Sequence, residues 1–298
     1  MKLLITGREG QLACALLEAA ASVGVQAVAI GRPGIDVTDE WSVTEVIARE
    51  RPDILVNTAA YTAVDKAESE PILAHAVNAL GAEFVAKACA AHAIPIIQIS
   101  TDHVFDGTKD GPYVEGDPTA PVNVYGRTKL EGEERVARAC QHHLILRTAW
   151  LYSPWGANFV KAMLRLARTQ PSIGVVNDQM GSPTSAPHLA RIVLDIAARA
   201  VTNPADTRWG IYHAVGAGDT SRFGLAQEIF RYAAAQGLPA AEVIAIATSA
   251  YPTPAQRPAD SRLNCDKLRM TFGFELPDWR LGVEDCVAKL AASAGAGG

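Results

Sequence analysis

The sequence predicts an α/β protein: a doubly wound parallel sheet with a smaller mixed α/β lobe. Three observations carry that expectation. Through the first 150 residues, short β-type runs alternate with helical stretches, the pattern of a parallel sheet covered on both faces. A glycine-bearing loop, Gly7-Arg8-Glu9-Gly10, joins the first β-type run to the first helical one. Beyond Trp150 the alternation loosens, which assigns residues 151–298 mostly to a second lobe. Segments near 187–216 are expected to return to the first, 1–150.

Composition narrows the function classes. A chain of 298 residues that is 49% hydrophobic has material for a sizeable core and excludes disorder. A net charge of −5 with no long basic run argues against a nucleic-acid partner. The five cysteines show neither C-x-x-C spacing nor a paired framework, so reduced thiols and a cytoplasmic location are expected. The apolar start, Leu3 to Ile5, is too short for a signal peptide or a membrane span.

In chain order, Lys2 to Thr6 reads as a strand and residues from Gln11 to about Val23 as a helix. Gln26 to Ile30 is the second strand. Asp39 caps a helix over Trp41 to Glu50, which Arg51-Pro52 stops. Asp53 to Asn57 is the third strand. Pro71 suits the first turn of a helix reaching Ala91, and Ile94 to Ser100 is again a strand. A helix from Tyr125 to about Cys140 leads into the strand Leu144 to Thr148. Later come helices over Asn158 to Thr169, Pro187 to Ala200, Ser221 to Gln236 and Leu281 to Ala292. Strands are expected at Ile173 to Asn177 and Ile211 to Val215, a proline-stiffened loop at Tyr251 to Pro258, and a frayed tail at Gly295 to Gly298.

The loop Thr6-Gly7-x-x-Gly10-x-x-Ala13 stands between a strand and a helix, the setting of a Rossmann-like phosphate loop. Gly7 and Gly10 allow close backbone approach, and the helix start at Gln11 and Leu12 offers free amides and a positive dipole end. The second strand ends in Gly31-Arg32 rather than in an acid. An Arg there accommodates a 2′-phosphate, so NADPH is expected ahead of NADH. Asp36 and Val37 either flank the adenine or form a polar turn. Ala59, Ala60, Tyr61 and Thr62 follow the third strand, where such a sheet holds the middle of a dinucleotide. Tyr125 and Lys129 are four residues apart and share one helix face, about 25 residues beyond the Ser100-Thr101-Asp102 strand end.

Together these motifs resemble the extended short-chain dehydrogenase/reductase family, and within it the reductases of dTDP-4-keto-6-deoxy sugars. The similarity also rests on Val64-Asp65-Lys66-Ala67-Glu68, Arg147-Thr148-Ala149-Trp150, Asn177 to Thr184 and Tyr251 to Pro258, and so spans nearly the whole chain. It implies hydride transfer from NAD(P)H to the 4-keto group of a dTDP-sugar, giving dTDP-L-rhamnose. Tyr125 is then the proton donor, its phenol drawn towards ionisation by the Lys129 ammonium, which also holds the nicotinamide ribose. Thr101 donates to the same substrate oxygen. Asp102 and Trp150 touch the sugar nucleotide. Arg257, in the proline-stiffened loop, either pairs with its diphosphate through its planar fork or is a solvated loop cation.

Departures from the family pattern shape further expectations. His103 stands where a Tyr is common, and Ala13 where a third glycine is usual. Some members bind Mg²⁺ through glutamates at a subunit contact. The corresponding places here hold Ala15, Pro187 and Lys289, so the Mg²⁺ that the resemblance allows lacks its ligands, no metal site is expected, and the chain is expected to be a monomer or a homodimer. Two rivals share the fold: a nucleotide-sugar dehydratase or epimerase, and a non-catalytic NADP-binding regulatory subunit. Dehydratases follow the Thr with an acidic pair, whereas Asp102 is followed by His103. The retained Thr101, Tyr125 and Lys129 weigh against the regulatory reading.

Overall fold

A computed structural model describes residues 1–295. Its centre is a parallel sheet built from β1 (Lys2–Thr6), β2 (Gln26–Ile30), β3 (Ile54–Asn57), β4 (Ile96–Thr101) and β5 (His143–Thr148). A sixth strand, Gly210–His213, pairs in parallel with β5, and the spatial order is sixth-β5-β4-β3-β1-β2. The interior strands are buried on both faces. That is why they read as continuous apolar runs such as Ile54-Leu55-Val56 rather than as alternating ones. The chain leaves β1 towards β2 on one side and returns to β3 on the other, so the sheet's carboxyl edge opens into a crevice between β1 and β3.

Helices cover both faces. Leu12, Leu16 and Ala20 of α1 (Gln11–Ser22) pack with Leu189, Val193 and Ile196 of the helix Ala186–Thr202 on one side. On the other lie Val43 and Ile47, Val85 and Cys89, and Val136. The helix over Pro71–Ala91 is long and apolar enough to cross a membrane by length and composition, yet half of its apolar window is buried in this fold. It carries a π-turn at Ala76–Leu80 that its sequence did not announce.

A smaller core gathers Tyr152, Met163, Ile173, Leu225, Phe230, Trp279 and Val283. It is held by the helices Phe159–Leu166, Arg222–Ala235 and Trp279–Gly295 and by a two-stranded parallel ribbon, Ser172–Val176 with Glu242–Ile246. The second ribbon strand was not expected, since its half-exposed side chains show no period-two alternation. Nor was the helix Asp266–Phe272, which at seven residues buries only Leu268 and Phe272. The strand expected from Ile94 begins instead at Ile96, because Ala93 takes a left-handed φ of 55° just ahead of Pro95. Of the expected tail, Gly295 ends the last helix and residues 296–298 lie outside the described residues.

His213, on the sixth strand, has no solvent exposure. Its Nδ1–H lies between the carbonyls of Tyr113 and Asn264, each at 3.2 Å, while Nε2 is buried without a partner among the described residues. Burial, reinforced by the Arg147 charge, pushes its pKa down to about 3. The unfolded chain takes up a proton near pH 6.5 that the native ring refuses until about pH 3, so stability is full above that window and falls as pH drops through it. Urea unfolding at pH 7 and pH 5 should show a loss of about 2 kcal/mol from this residue. His213→Phe should remove that share of the slope; an unchanged slope would acquit His213.

Candidate active site

The phosphate loop crosses the sheet edge where the crevice opens. Gly7 has a φ of +90°, and its amide donates to the Ile30 carbonyl at 2.9 Å, tying the end of β1 to the end of β2. Gly10 precedes α1 without a capping side chain, and the first turn holds no acid. The first amides of the helix therefore remain free for an anion. Gly7, Gly10, Arg32, Asp36, Val37, Ala59 and Ala60 line one end of the cleft, together with Arg8, Thr38 and Thr58. Gly10, Gln11, Leu12, Ala60 and Thr62 line the adjoining part, about 540 Å³, whose far wall carries Thr101, Tyr125 and Lys129.

The uncapped amides and the two guanidiniums suit a dinucleotide bearing an extra phosphate, so the donor set fits NADPH. Arg8 was not picked out from the sequence, although its place inside the loop, one residue after Gly7, was the available signal. Asp36 accepts from the Thr38 amide at 2.9 Å and hydroxyl at 2.7 Å, which hold its carboxyl below the usual range; nearby Arg32 adds to the effect. Tyr61 departs from its expected place. Its phenol donates to Glu70 at 2.7 Å and its amide to Asn78 at 2.8 Å, and it does not line the cleft.

The candidate catalytic residues come from β4 and the helix Val124–Ala139. Asn123 caps that helix, its Oδ1 accepting from the Gly126 amide at 2.8 Å. A Cβ on Gly126 would stand 2.1 Å from the His103 carbonyl oxygen, so glycine alone allows the helix to lie against the strand end. Asn78, inside the π-turn, donates to the Thr128 hydroxyl at 3.0 Å from the neighbouring helix. These contacts fix Tyr125 and Lys129 over the crevice.

Lys129 is 4% exposed and its ammonium donates to the Ile99 carbonyl at 2.7 Å. Burial lowers its pKa to about 8, and the Glu133 carboxylate works against the fall. The expectation for Tyr125 fails in direction. Burial lifts its phenol to about 12, the Thr101 hydroxyl only partly offsetting this, and Lys129 is not among the groups that shift it. The phenol is consequently fully protonated at working pH, loaded as an acid. Thr101 donates to Asp102 Oδ1 at 3.0 Å, so its single hydrogen serves either that carboxylate or an incoming carbonyl.

Behind the trio lies a buried polar network. Glu133 accepts from the Ser100 hydroxyl and from Arg147, whose Nη2 is 2.7 Å away; both charged side chains are nearly inaccessible.

Asp102 and Thr148 also line the cleft, and Asp102 Oδ2 and the Thr148 hydroxyl are buried without partners among the described residues. His103 accepts at Nδ1 from Asn123 at 3.0 Å and meets the Tyr125 ring edge-on at 5.4 Å. Burial lowers its pKa, so it is a neutral ring here. Trp150 takes a left-handed φ of 44° and lies on the backbone of Gly181, where a Cβ would strike the indole at 2.4 Å. The Arg222 guanidinium lies over the ring, 3.6 Å from its centre. Arg257 is not on the cleft wall: it pairs with Asp65 at 2.9 Å and donates to the Ala255 carbonyl at 3.1 Å. Thr148 and Arg222 were missed as site residues. Arg222 did leave a trace, since a cation at the first position of a helix opposes the dipole there.

The three Mg²⁺-site positions are dispersed in role. Ala15 is buried in α1, Pro187 opens the helix Ala186–Thr202, and Lys289 pairs with Glu18 at 2.5 Å. Among the described residues no three His, Cys, Asp or Glu side chains gather as a metal site.

A family model described as "RmlD substrate binding domain" matches residues 1–292. A dTDP-4-dehydrorhamnose reductase of Sinorhizobium fredii is 49% identical over 280 residues, 94% of each chain. One of Escherichia coli K12 is 43% identical over 97% of this chain and 98% of its own. The crystal structure of a dTDP-4-dehydrorhamnose reductase from Bacillus anthracis in complex with NADP superposes with a TM-score of 0.90 at 34% identity, covering 97% of this chain and 99% of that one.

Proposed function

The chain belongs to the family of the RmlD substrate binding domain, and on that premise we propose that it reduces dTDP-4-dehydro-L-rhamnose to dTDP-L-rhamnose with NADPH. The observation that carries the reading is a single cleft in which the free amides of α1 face Thr101, Tyr125 and Lys129.

NADPH, when bound, supplies the hydride. The protein's own part is to place a ketone, charge its oxygen with a proton and keep water away. Tyr125 stands protonated on the far wall and gives its phenolic proton to the carbonyl oxygen as negative charge develops there. Thr101 turns its hydroxyl from Asp102 to the same oxygen, adding a donor that matters most in the transition state. Lys129 keeps one N–H on the Ile99 carbonyl, leaving two to hold ribose hydroxyls. Asp102 Oδ2, an acceptor with no partner, suits a sugar hydroxyl, and Trp150 forms the flat wall beside it. Arg8 and Arg32 favour NADPH over NADH through the 2′-phosphate.

The assay supplies the purified protein with NADPH and dTDP-4-dehydro-L-rhamnose and follows the absorbance of the reduced nicotinamide. Substrate-dependent oxidation is expected, with NADH giving a higher KM. Tight NADPH binding without turnover would instead favour a regulatory role.

A further inference from the structure

We propose that Arg222 is the cation that seizes the diphosphate of the sugar nucleotide, and that it does so as a guanidinium held flat on the Trp150 indole. The assignment rests on the nucleotide-sugar reading above and moves the anion-binding role from Arg257 to a different residue.

Three observations converge on Arg222. It lines the same cleft as Thr101, Tyr125 and Lys129 and is half-buried, yet it forms no ion pair and no hydrogen bond among the described residues. Of the groups that face it, Asp102 attracts and Arg257 repels, and neither pairs with it. Burial is the larger influence and brings its pKa down to about 10, so the charge is present at working pH but poorly compensated. It also sits at the first position of the helix Arg222–Ala235, where the helix dipole disfavours a cation. A charge that is desolvated, unpaired and at the wrong helix end costs stability, and a dianion brought by the substrate would remove all three penalties.

Geometry supplies the specificity. The guanidinium lies 3.6 Å from the Trp150 ring centre, and the indole is packed tightly against Gly181. Stacking orients the planar fork while leaving its N–H groups free to meet phosphate oxygens in pairs. The same indole walls the sugar pocket, so the fork holds the diphosphate at a fixed distance from the reaction centre. Arg257 is less suited, because the Asp65 carboxylate, 2.9 Å away, already neutralises it.

The test measures calorimetric binding of dTDP and of thymidine to the NADPH-loaded protein, wild type against Arg222→Gln, Arg222→Lys and Arg257→Gln. Arg222→Gln is expected to weaken dTDP roughly 10- to 100-fold, the loss of a charge-assisted bond. Thymidine should be unaffected, and KM for the sugar nucleotide should rise far more than kcat falls. Arg222→Lys, which keeps the charge but not the planar fork, should lose only a few-fold, and it reports the same claim if the Gln variant fails to fold. Arg257→Gln should change dTDP binding less than Arg222→Gln does. Equal dTDP binding by wild type and both Arg222 variants would overturn the assignment. So would equal losses for dTDP and thymidine, which would mean that Arg222 merely props Trp150. A wild type that binds no dTDP at all would sink the nucleotide-sugar reading itself.

Discussion

Tyr125→Phe is expected to lower kcat by roughly 10²–10⁴-fold, the usual worth of a positioned general acid. The change removes one oxygen and keeps the ring that packs edge-on against His103. NADPH affinity and melting temperature should therefore stay close to wild type. Because burial keeps the phenol protonated up to about pH 12, the wild-type rate should show no limb from Tyr125 between pH 6 and 9. The alkaline limb belongs to Lys129, whose ammonium is lost near pH 8. Retained turnover in the Phe variant, followed by single-turnover reduction, would strike Tyr125 from its role.

The second large effect concerns stability. Glu133→Gln leaves Arg147 buried and charged opposite a neutral amide, and breaking such a pair costs about 3–5 kcal/mol. The cost falls on the floor of the active site, since Glu133 lies one turn beyond Lys129 and also accepts from Ser100. Glu133 is what raises the Lys129 pKa against burial, so its loss must lower that pKa further. Urea unfolding should show the destabilisation, and the alkaline limb of kcat/KM should move to lower pH. Glu134→Gln, in an exposed pair on the same helix, should cost less than about 1 kcal/mol. Similar losses for the two variants would deny the buried pair its special place.

Much of this was legible in the sequence, for reasons that differ by element. The sheet showed itself because Leu3-Leu4-Ile5, Ile54-Leu55-Val56 and Leu144-Ile145-Leu146 are buried on both faces, and no loop has that composition. The Tyr125 helix showed itself through its amphipathic spacing, whereas its Asn123 cap emerged only in the fold. What stayed hidden depends on neighbours distant in the chain. Nothing near Glu242 reveals that Ser172–Val176 will pair with it. Nothing near Tyr61 shows that Glu70 and Asn78 will draw it out of the cleft. Arg257 looked like the free cation because its partner, Asp65, lies 192 residues earlier. Arg222 drew no notice in the sequence because Trp150 and Gly181 come from elsewhere.

The contact between Gly126 and the His103 carbonyl has a consequence for anyone redesigning this chain. A helix seated backbone to backbone has no slack with which to adjust, so the proton donor cannot be re-aimed by small changes around it. Acceptance of a different sugar must therefore be sought in the cleft wall away from that helix, at Thr148 and Trp150, while the chemistry beneath is left untouched.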